Sequence, residues 1–487
     1  MSNSLQDKMF SGMTWTFIRQ FSFQGFAFIQ GIILARIIAP SDYGIIAMTT
    51  FFFAITGCFI DSGFATALIQ KKDRNPIDYS TVFVTNVGIT LFFACLLCVC
   101  SPLIASFYNE PILIKIVCAN AILLFLNSFF SIQNTKLSID LDFKAQNLIR
   151  LITNVIVGIT SIIMALSGFG IWSLVWPNFL QPVIAGYLFW HHSHWFPGIK
   201  FSSKSFKEFW KFGSKLLVSN LINTIYSNIY PLIIGKKFSA SALGFYSRAQ
   251  GYASLPTYTL QTVLGPVAFP VLSTIQDDSY RLQEAYRKLI RASAYLVFPI
   301  MIGLAILAKP SIIVLITDKW LPAVEYLQIL CFALMLEPLQ MLSLDLIKVK
   351  GRSDITLRLE IIKKTIGFII LFASIPFGLY YMCLGQVFAS VTCFILNNIF
   401  IGKLINVRFY TLISDIIPSA IYSIIMGLFV FSTTLCIDSY GLQLLAGIVG
   451  GGIVYIGISL ITKSIELKFL RSIIQENIIS RFNTTQK

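Results

Sequence analysis

The feature that most limits what this chain can become is a series of apolar stretches, each about 20 residues or longer. That is the length a helix needs to cross about 30 Å of hydrocarbon. About fourteen stretches are present, at 11–39, 43–68, 80–107, 113–132, 147–167, 170–190, 207–235, 246–272, 289–316, 324–347, 357–375, 378–401, 412–436 and 440–461. The runs are continuous, so they do not suit the short alternating strands of a membrane β-barrel. A water-soluble fold is excluded by composition, since only 12% of the residues are charged, about half the usual share. Disorder is excluded by the 56% hydrophobic and 14% aromatic content. An all-α polytopic membrane protein is therefore expected. Met1 to Phe10 is mostly polar and no small-residue cleavage site follows the first stretch, so no cleavable signal peptide is expected. Pro256, Pro266 and Pro270 predict a bend in the eighth helix.

The net charge of +15 has to be located before it means anything. With the N-terminus placed in the cytoplasm, the inside segments, near 1–10, 69–79, 133–150, 191–211, 273–291, 348–364, 402–411 and 462–487, hold about 28 of the 37 Lys and Arg residues. They include Lys71, Lys72 and Arg74, the set Lys200, Lys204, Lys207 and Lys211, and the set Lys348, Lys350, Arg352 and Arg358. Both termini are thus expected in the cytoplasm. Short basic clusters in every second loop are an orientation signal, and no nucleic-acid partner is expected.

The remaining motifs exclude more than they suggest. Cys95, Cys98 and Cys100 lie in an apolar run with no second ligand cluster, and read as small buried residues. His191, His192 and His194 stand between Trp190 and Trp195, the pattern of an interfacial belt more than of a metal site. Neither a phosphate-binding loop, a nucleophile elbow nor a paired-carboxylate motif is present, so no enzyme and no cofactor is expected.

One internal echo organises the chain. Ala35 to Gly44 joins the first two helices, and Gly235 to Gly244 joins the seventh and eighth. In both, a basic residue ends a helix, a short loop follows, and a glycine opens the next helix. Each returning helix then reaches a polar loop, through Gln70-Lys71-Lys72-Asp73 or Gln276-Asp277-Asp278. The echo suggests two six-helix bundles, 1–200 and 201–410, with two extra helices and a tail in 411–487. Repeats of this kind build alternating access about a central site.

Several short pieces resemble the polysaccharide exporters of the multidrug/oligosaccharidyl-lipid/polysaccharide superfamily, most closely the lipopolysaccharide, O-antigen and colanic-acid flippase branch. They are Ala35 to Gly44, Asp61 to Lys72, Phe107 to Pro111, Leu141 to Lys144, Leu243 to Ala249, Phe269 to Ser273, Asp318 to Trp320, and Lys350 to Arg352. The final two helices match only in hydropathy. The resemblance implies a V-shaped pair of bundles in the bacterial inner membrane. It also implies a lipid-linked oligosaccharide substrate, moved from the inner to the outer leaflet on undecaprenyl pyrophosphate. Glycan polymerase and chain-length machinery are the implied partners, beside the membrane lipids.

A flippase must shelter a diphosphate and sugar hydroxyls, and an ionised residue at mid-membrane costs about 2.5–3.5 kcal/mol. Arg19 lies about 12 Å into helix 1 at 1.5 Å per residue, and Gln20, Gln24 and Gln30 continue its polar positions. Asp61 falls at a similar depth and is a candidate ion partner for Arg19. Lys215 has the matching depth in helix 7, followed by Asn220, Asn223 and Asn228. Arg36 and Arg248, nearer the outer surface, are candidates for receiving the phosphates late in transport. Asp61 and Glu337 are the ion-coupling candidates, with Gln340 and Asp345 further along helix 10. The alternative functions are a cation-coupled drug or small-molecule exporter on the same scaffold, and a membrane glycan polymerase or ligase. The latter would want a large outside loop, and the loops here are short.

Overall fold

A computed structural model describes residues 24–468, apart from 62, 194, 197 and 199. Among the described residues the chain is helical throughout, with no strand. The helices are α1 (Gln24–Ile37), α2 (Pro40–Asp61), α3 (Phe64–Gln70), α4 (Pro76–Tyr108), α5 (Ile112–Ser128), α6 (Ser131–Ile139) and α7 (Phe143–Leu166). Two 3-10 turns lead into α8 (Leu180–Ser193), followed by α9 (Ser203–Lys237), α10 (Ala240–Thr274), α11 (Ser279–Ile306) and α12 (Ala308–Ile316). The last six are α13 (Ala323–Leu334), α14 (Glu337–Val349), α15 (Ser353–Ser374), α16 (Leu379–Leu404), α17 (Phe409–Cys436) and α18 (Tyr440–Ile461).

Among the described residues the expected spans fall on helices, the sixth entered through two 3-10 turns, and the chain is a multi-pass membrane protein. Among the described residues eight helical spans are long and apolar enough to cross, two of them formed by the adjoining pairs α2–α3 and α13–α14, or nine if α5 and α6, bent by 41° at their junction, count as one span. In α10 the helix continues through all three prolines.

Local chemistry sets the helix starts. Asn75 and Asp78 form a capping box at α4, with the Asn75 amide donating to Asp78 Oδ2 at 3.0 Å and Pro76 in the first turn. Ser202 opens α9, Asp142 opens α7 and Asp278 opens α11, each side chain accepting from an amide three residues on.

The chain divides into two compact units, residues 1–244 and 245–487. The boundary follows the seventh apolar helix, so α9, expected to open the second repeat, packs along α2 in the first unit. In the second unit α17 packs on α11 and α18, and the Tyr455 hydroxyl donates to the Tyr295 carbonyl at 2.8 Å within their shared apolar cluster. Asp415 of α17, 5% exposed, accepts from Arg287 Nε at 2.6 Å and Nη2 at 2.9 Å, with Arg291 Nε at 3.6 Å. These two arginines counted among loop cations in the sequence, but they hold α11 against α17.

Candidate functional site

The two echo segments meet each other. A methyl group on Gly44 would fall 2.5 Å from the carbonyl carbon of Ala240, and closer still to its oxygen. One on Gly244 would fall 2.9 Å from the carbonyl carbon of Pro40 and 3.3 Å from the Gly44 nitrogen, again closer to the oxygen. The contact is reciprocal: position 44 meets 240 and position 244 meets 40, as in an interface between two like surfaces. Glycine is required at both places because the backbones touch. Beside the crossing, Lys236 donates to the Phe107 carbonyl at 2.5 Å, its ammonium 4.7 Å from the ring centroid.

The other end of α2 is joined to α9. Gly63 has φ 77°, in the left-handed region, and a side chain there would meet Gly213 Cα at 2.8 Å. Phe64 stacks on Phe206 at 5.6 Å, and Trp210 lies 6.1 Å from it. Lys71, from the polar loop of the echo, reaches both Asp78 and Glu208 at 3.1 Å, and the Asp78 side chain is only 1% exposed. Between the ends, Cys58 Sγ and Thr224 Oγ1 pair at 2.9 Å.

Of the sequence candidates, Arg19 and Gln20 lie outside the described residues. Gln24 and Gln30 are half-buried on α1, and Gln30 lies over Gly158 of α7, where it closes a helix contact. Asp61, Lys215, Asn220 and Asn223 are exposed, and neither Asp61 nor Lys215 takes part in an ion pair among the described residues. Asn228 donates to the Thr224 carbonyl at 2.9 Å. Arg36 is exposed at the far end of α1. In the second unit the Arg248 guanidinium lies 5.6 Å from the Trp320 ring and 5.9 Å from that of Tyr252, a cation–π arrangement. Gln261 reaches Glu337 at 3.5 Å, Gln340 donates to the Ser390 carbonyl at 3.2 Å, and Asp345 pairs with Lys348 at 3.1 Å.

Sequence reasoning missed a cavity of about 510 Å³ in the first unit, walled by α5, α6, α7 and α8 together with Ile60 of α2. Its lining mixes apolar side chains with the polar Asn127, Ser131, Asn134, Arg150, Asn154 and Gln181, and no acidic side chain is among the described lining residues. Arg150 donates to Asn134 Oδ1 at 3.1 Å, and Gln146 does so at 2.7 Å. The buried Asn127 Oδ1 has no hydrogen-bond partner. Phe130 and Phe189, both lining residues, stack at 5.7 Å with planes 10° apart. Asn127, Ser131 and Asn134, and likewise Arg150 and Asn154, recur at helical spacing. That spacing is the available signal, but from sequence Arg150 reads as part of the inside segment 133–150.

Outside the spans, the Asp142 carboxyl is held below the usual carboxylate range, first by the Ala145 amide and then by His192, 2.9 Å away. Asp354 is lowered to about 2 by its bidentate bond to Arg352. No group of three His, Cys, Asp or Glu residues able to hold a metal exists among the described residues. The cysteines are all free, and Cys95 is exposed on α4, so the burial expected of it from sequence is corrected: it sits on the outward face of its helix.

The sequence profile of a family described as "Polysaccharide biosynthesis protein" matches residues 33–325, more than half of the chain. The chain belongs to this family. It is 25% identical over 447 residues to the teichuronic acid biosynthesis protein TuaB of Bacillus subtilis, covering 90% of this chain and 92% of TuaB. It is 24% identical over 371 residues to the lipopolysaccharide biosynthesis protein WzxC of Escherichia coli, 74% of each chain. Among solved structures, the lipid II flippase MurJ in an inward closed conformation superposes with a TM-score of 0.73, covering 95% of this chain and all of MurJ at 18% identity. At that identity the likeness is one of fold.

Proposed function

We propose that the protein is a flippase, not an enzyme, that moves undecaprenyl-pyrophosphate-linked oligosaccharide repeat units across the bacterial cytoplasmic (inner) membrane by alternating access. The product feeds lipopolysaccharide, O-antigen or exopolysaccharide synthesis, with a glycan polymerase and chain-length machinery downstream. Both termini lie in the cytoplasm, in keeping with the basic loops. Fourteen spans form two six-helix repeats, 1–200 and 201–410, with 411–487 appended.

The observation that carries the mechanism is the reciprocal crossing of Gly44 on Ala240 and Gly244 on Pro40. Repeat-related helix starts whose backbones touch at glycine form a seam able to part as a unit. On this topology the seam faces outward and the Gly63–Gly213 and Lys71–Asp78–Glu208 contacts face the cytoplasm. Transport then requires each to open while the other holds. Arg19 and Lys215, with Gln24, Asp61 and Asn220, meet the diphosphate and sugar. Arg36 and Arg248 receive the phosphates on the outer side. Glu337, within reach of Gln261, and Asp61 are the groups for ion coupling.

The test is genetic. In cells without another exporter, loss of the protein should leave lipid-linked repeat units on the inner leaflet and stop surface glycan. Normal outer-leaflet display in such cells would sink the reading. Resistance to cationic dyes without a glycan phenotype would favour a drug exporter on the same fold.

A further inference from the structure

The α9 helix carries a feature that its packing in the first unit leaves unused. Lys204, Lys207, Lys211 and Lys215 recur along it at spacings of three, four and four. At about 100° per residue they fall within an arc of about 80°, and all four are exposed. The buried Phe209, Gly213 and Leu217 lie on the opposite side, and α9 packs on α2, α3 and α4. Glu208, the only acid of α9, is held by Lys71 at 3.1 Å, and none of the four lysines forms an ion pair among the described residues. Past Lys215 the same arc continues with the exposed Val218 and Ile222, so this face passes from basic to apolar along the helix.

We propose that this column is the loading track for the lipid-linked substrate. Its diphosphate lands on Lys204 and Lys207 and passes by way of Lys211 to Lys215, while the isoprenoid chain lies along Val218 and Ile222. The inference rests on the flippase reading and deepens it, since it supplies the route by which the diphosphate reaches Lys215. On the topology proposed above, the column begins at the cytoplasm. Three features favour a diphosphate over ordinary anionic phospholipid. Helix neighbours three or four apart stand about 5–6 Å from each other at Cβ, so every step presents two ammonium groups to two adjoining phosphates. A phosphodiester, with one charge, needs only one. The column rises about 16 Å at 1.5 Å per residue, whereas the headgroup zone is about 5–7 Å thick on each side of the hydrocarbon. Headgroups resting at one depth leave the inner lysines idle, but a headgroup carried inward uses each in turn. Lastly, successive pairs share a lysine, so the diphosphate gains a new cation before it leaves the old one and keeps its charge compensated as the surroundings become less polar. Lysine's flexible point charge suits that transfer better than the fixed fork of arginine.

The full-length protein in detergent is titrated with undecaprenyl pyrophosphate, undecaprenyl phosphate and phosphatidylglycerol, and bound lipid is counted by native mass spectrometry. The pyrophosphate should bind about tenfold tighter than the other two. Lys204→Gln, Lys207→Gln and Lys211→Gln combined should weaken pyrophosphate binding about tenfold, and Arg at the same three positions should restore most of it. In proteoliposomes the Gln variant should raise the half-saturating substrate concentration about fivefold, more than it lowers the maximal rate of exchange. Should the triple variant not fold, Lys207→Gln serves, with about threefold weaker pyrophosphate binding. Equal binding by wild type and the triple variant overturns the proposal. So do lysine-dependent binding of phosphatidylglycerol as tight as that of the pyrophosphate, and a fall in maximal rate at an unchanged half-saturating concentration. Exchange that is unaffected in the triple variant removes only the track; lysine-dependent pyrophosphate binding without exchange leaves the column as a diphosphate site and removes the flippase reading.

Discussion

Gly44→Ala is the sharpest perturbation of the seam. The added methyl carbon would lie 2.5 Å from the Ala240 carbonyl carbon, about 1 Å short of ordinary van der Waals contact, and the obstacle is backbone that cannot turn aside. Forcing extra volume into such a contact costs about 1–3 kcal/mol. The cost falls only on the conformation in which the seam is closed, so it becomes a shift of about 5- to 150-fold toward the parted state. Gly244→Ala should act in the same direction and less strongly, since its nearest carbonyl carbon is at 2.9 Å. The two positions share one contact, so their effects should not add. Spin labels carried on non-natural residues at Ser41 and Ser241 avoid the nine native cysteines and report the separation of the two loops. A short-distance population in the wild type should give way to a longer one in Gly44→Ala, with slower transport. An unchanged distance distribution together with normal transport would refute the reasoning.

Three other outcomes are expected. Asp415→Asn removes the carboxylate that joins Arg287 and Arg291, and should destabilise the second unit by about 3–5 kcal/mol, read as a fall in the unfolding midpoint in detergent. Lys71→Met leaves the buried Asp78 carboxylate without its cation, held by the Asn75 amide and the Ser205 hydroxyl, and should cost about 1–3 kcal/mol. Glu208→Ala, at the half-exposed end of the same cluster, should cost under about 1 kcal/mol, so equal effects of these two would contradict the account. Asp142 has a lowered pKa in the folded protein, so its contribution is complete above the ordinary aspartate value of about 3.9 and is lost as the pH falls through the folded value. The stability gap between wild type and Asp142→Asn should therefore be present at about pH 5 and close as the pH falls below about 4; a gap that instead grows below about pH 4 would reverse the sign.

Hydropathy made the helices legible because a span is announced by length and apolarity. The echo at Ala35 to Gly44 and Gly235 to Gly244 was visible as a loop pattern, and the two segments touch. What stayed hidden depends on faces and partners. The 41° break between α5 and α6 falls at Phe129 and Phe130, with neither proline nor glycine to mark it. Arg150, Arg287 and Arg291 read as loop cations because a charge near a helix start looks the same whether it points to water, to Asp415 or into a cavity. The α9 helix reads as the start of a second bundle, and its packing on α2 follows from Gly63, Gly213 and Phe64, whose partners lie far away in sequence.

The central claim is translocation of a lipid-linked glycan. The most direct measurement follows a fluorescent undecaprenyl-pyrophosphate oligosaccharide, placed in one leaflet of proteoliposomes, as it becomes accessible to a quencher on the other side. The account predicts leaflet exchange well above that of protein-free vesicles for the wild type, and exchange near the protein-free rate for Arg19→Ala combined with Lys215→Ala in correctly inserted protein. Exchange by the wild type no faster than in empty vesicles would contradict it.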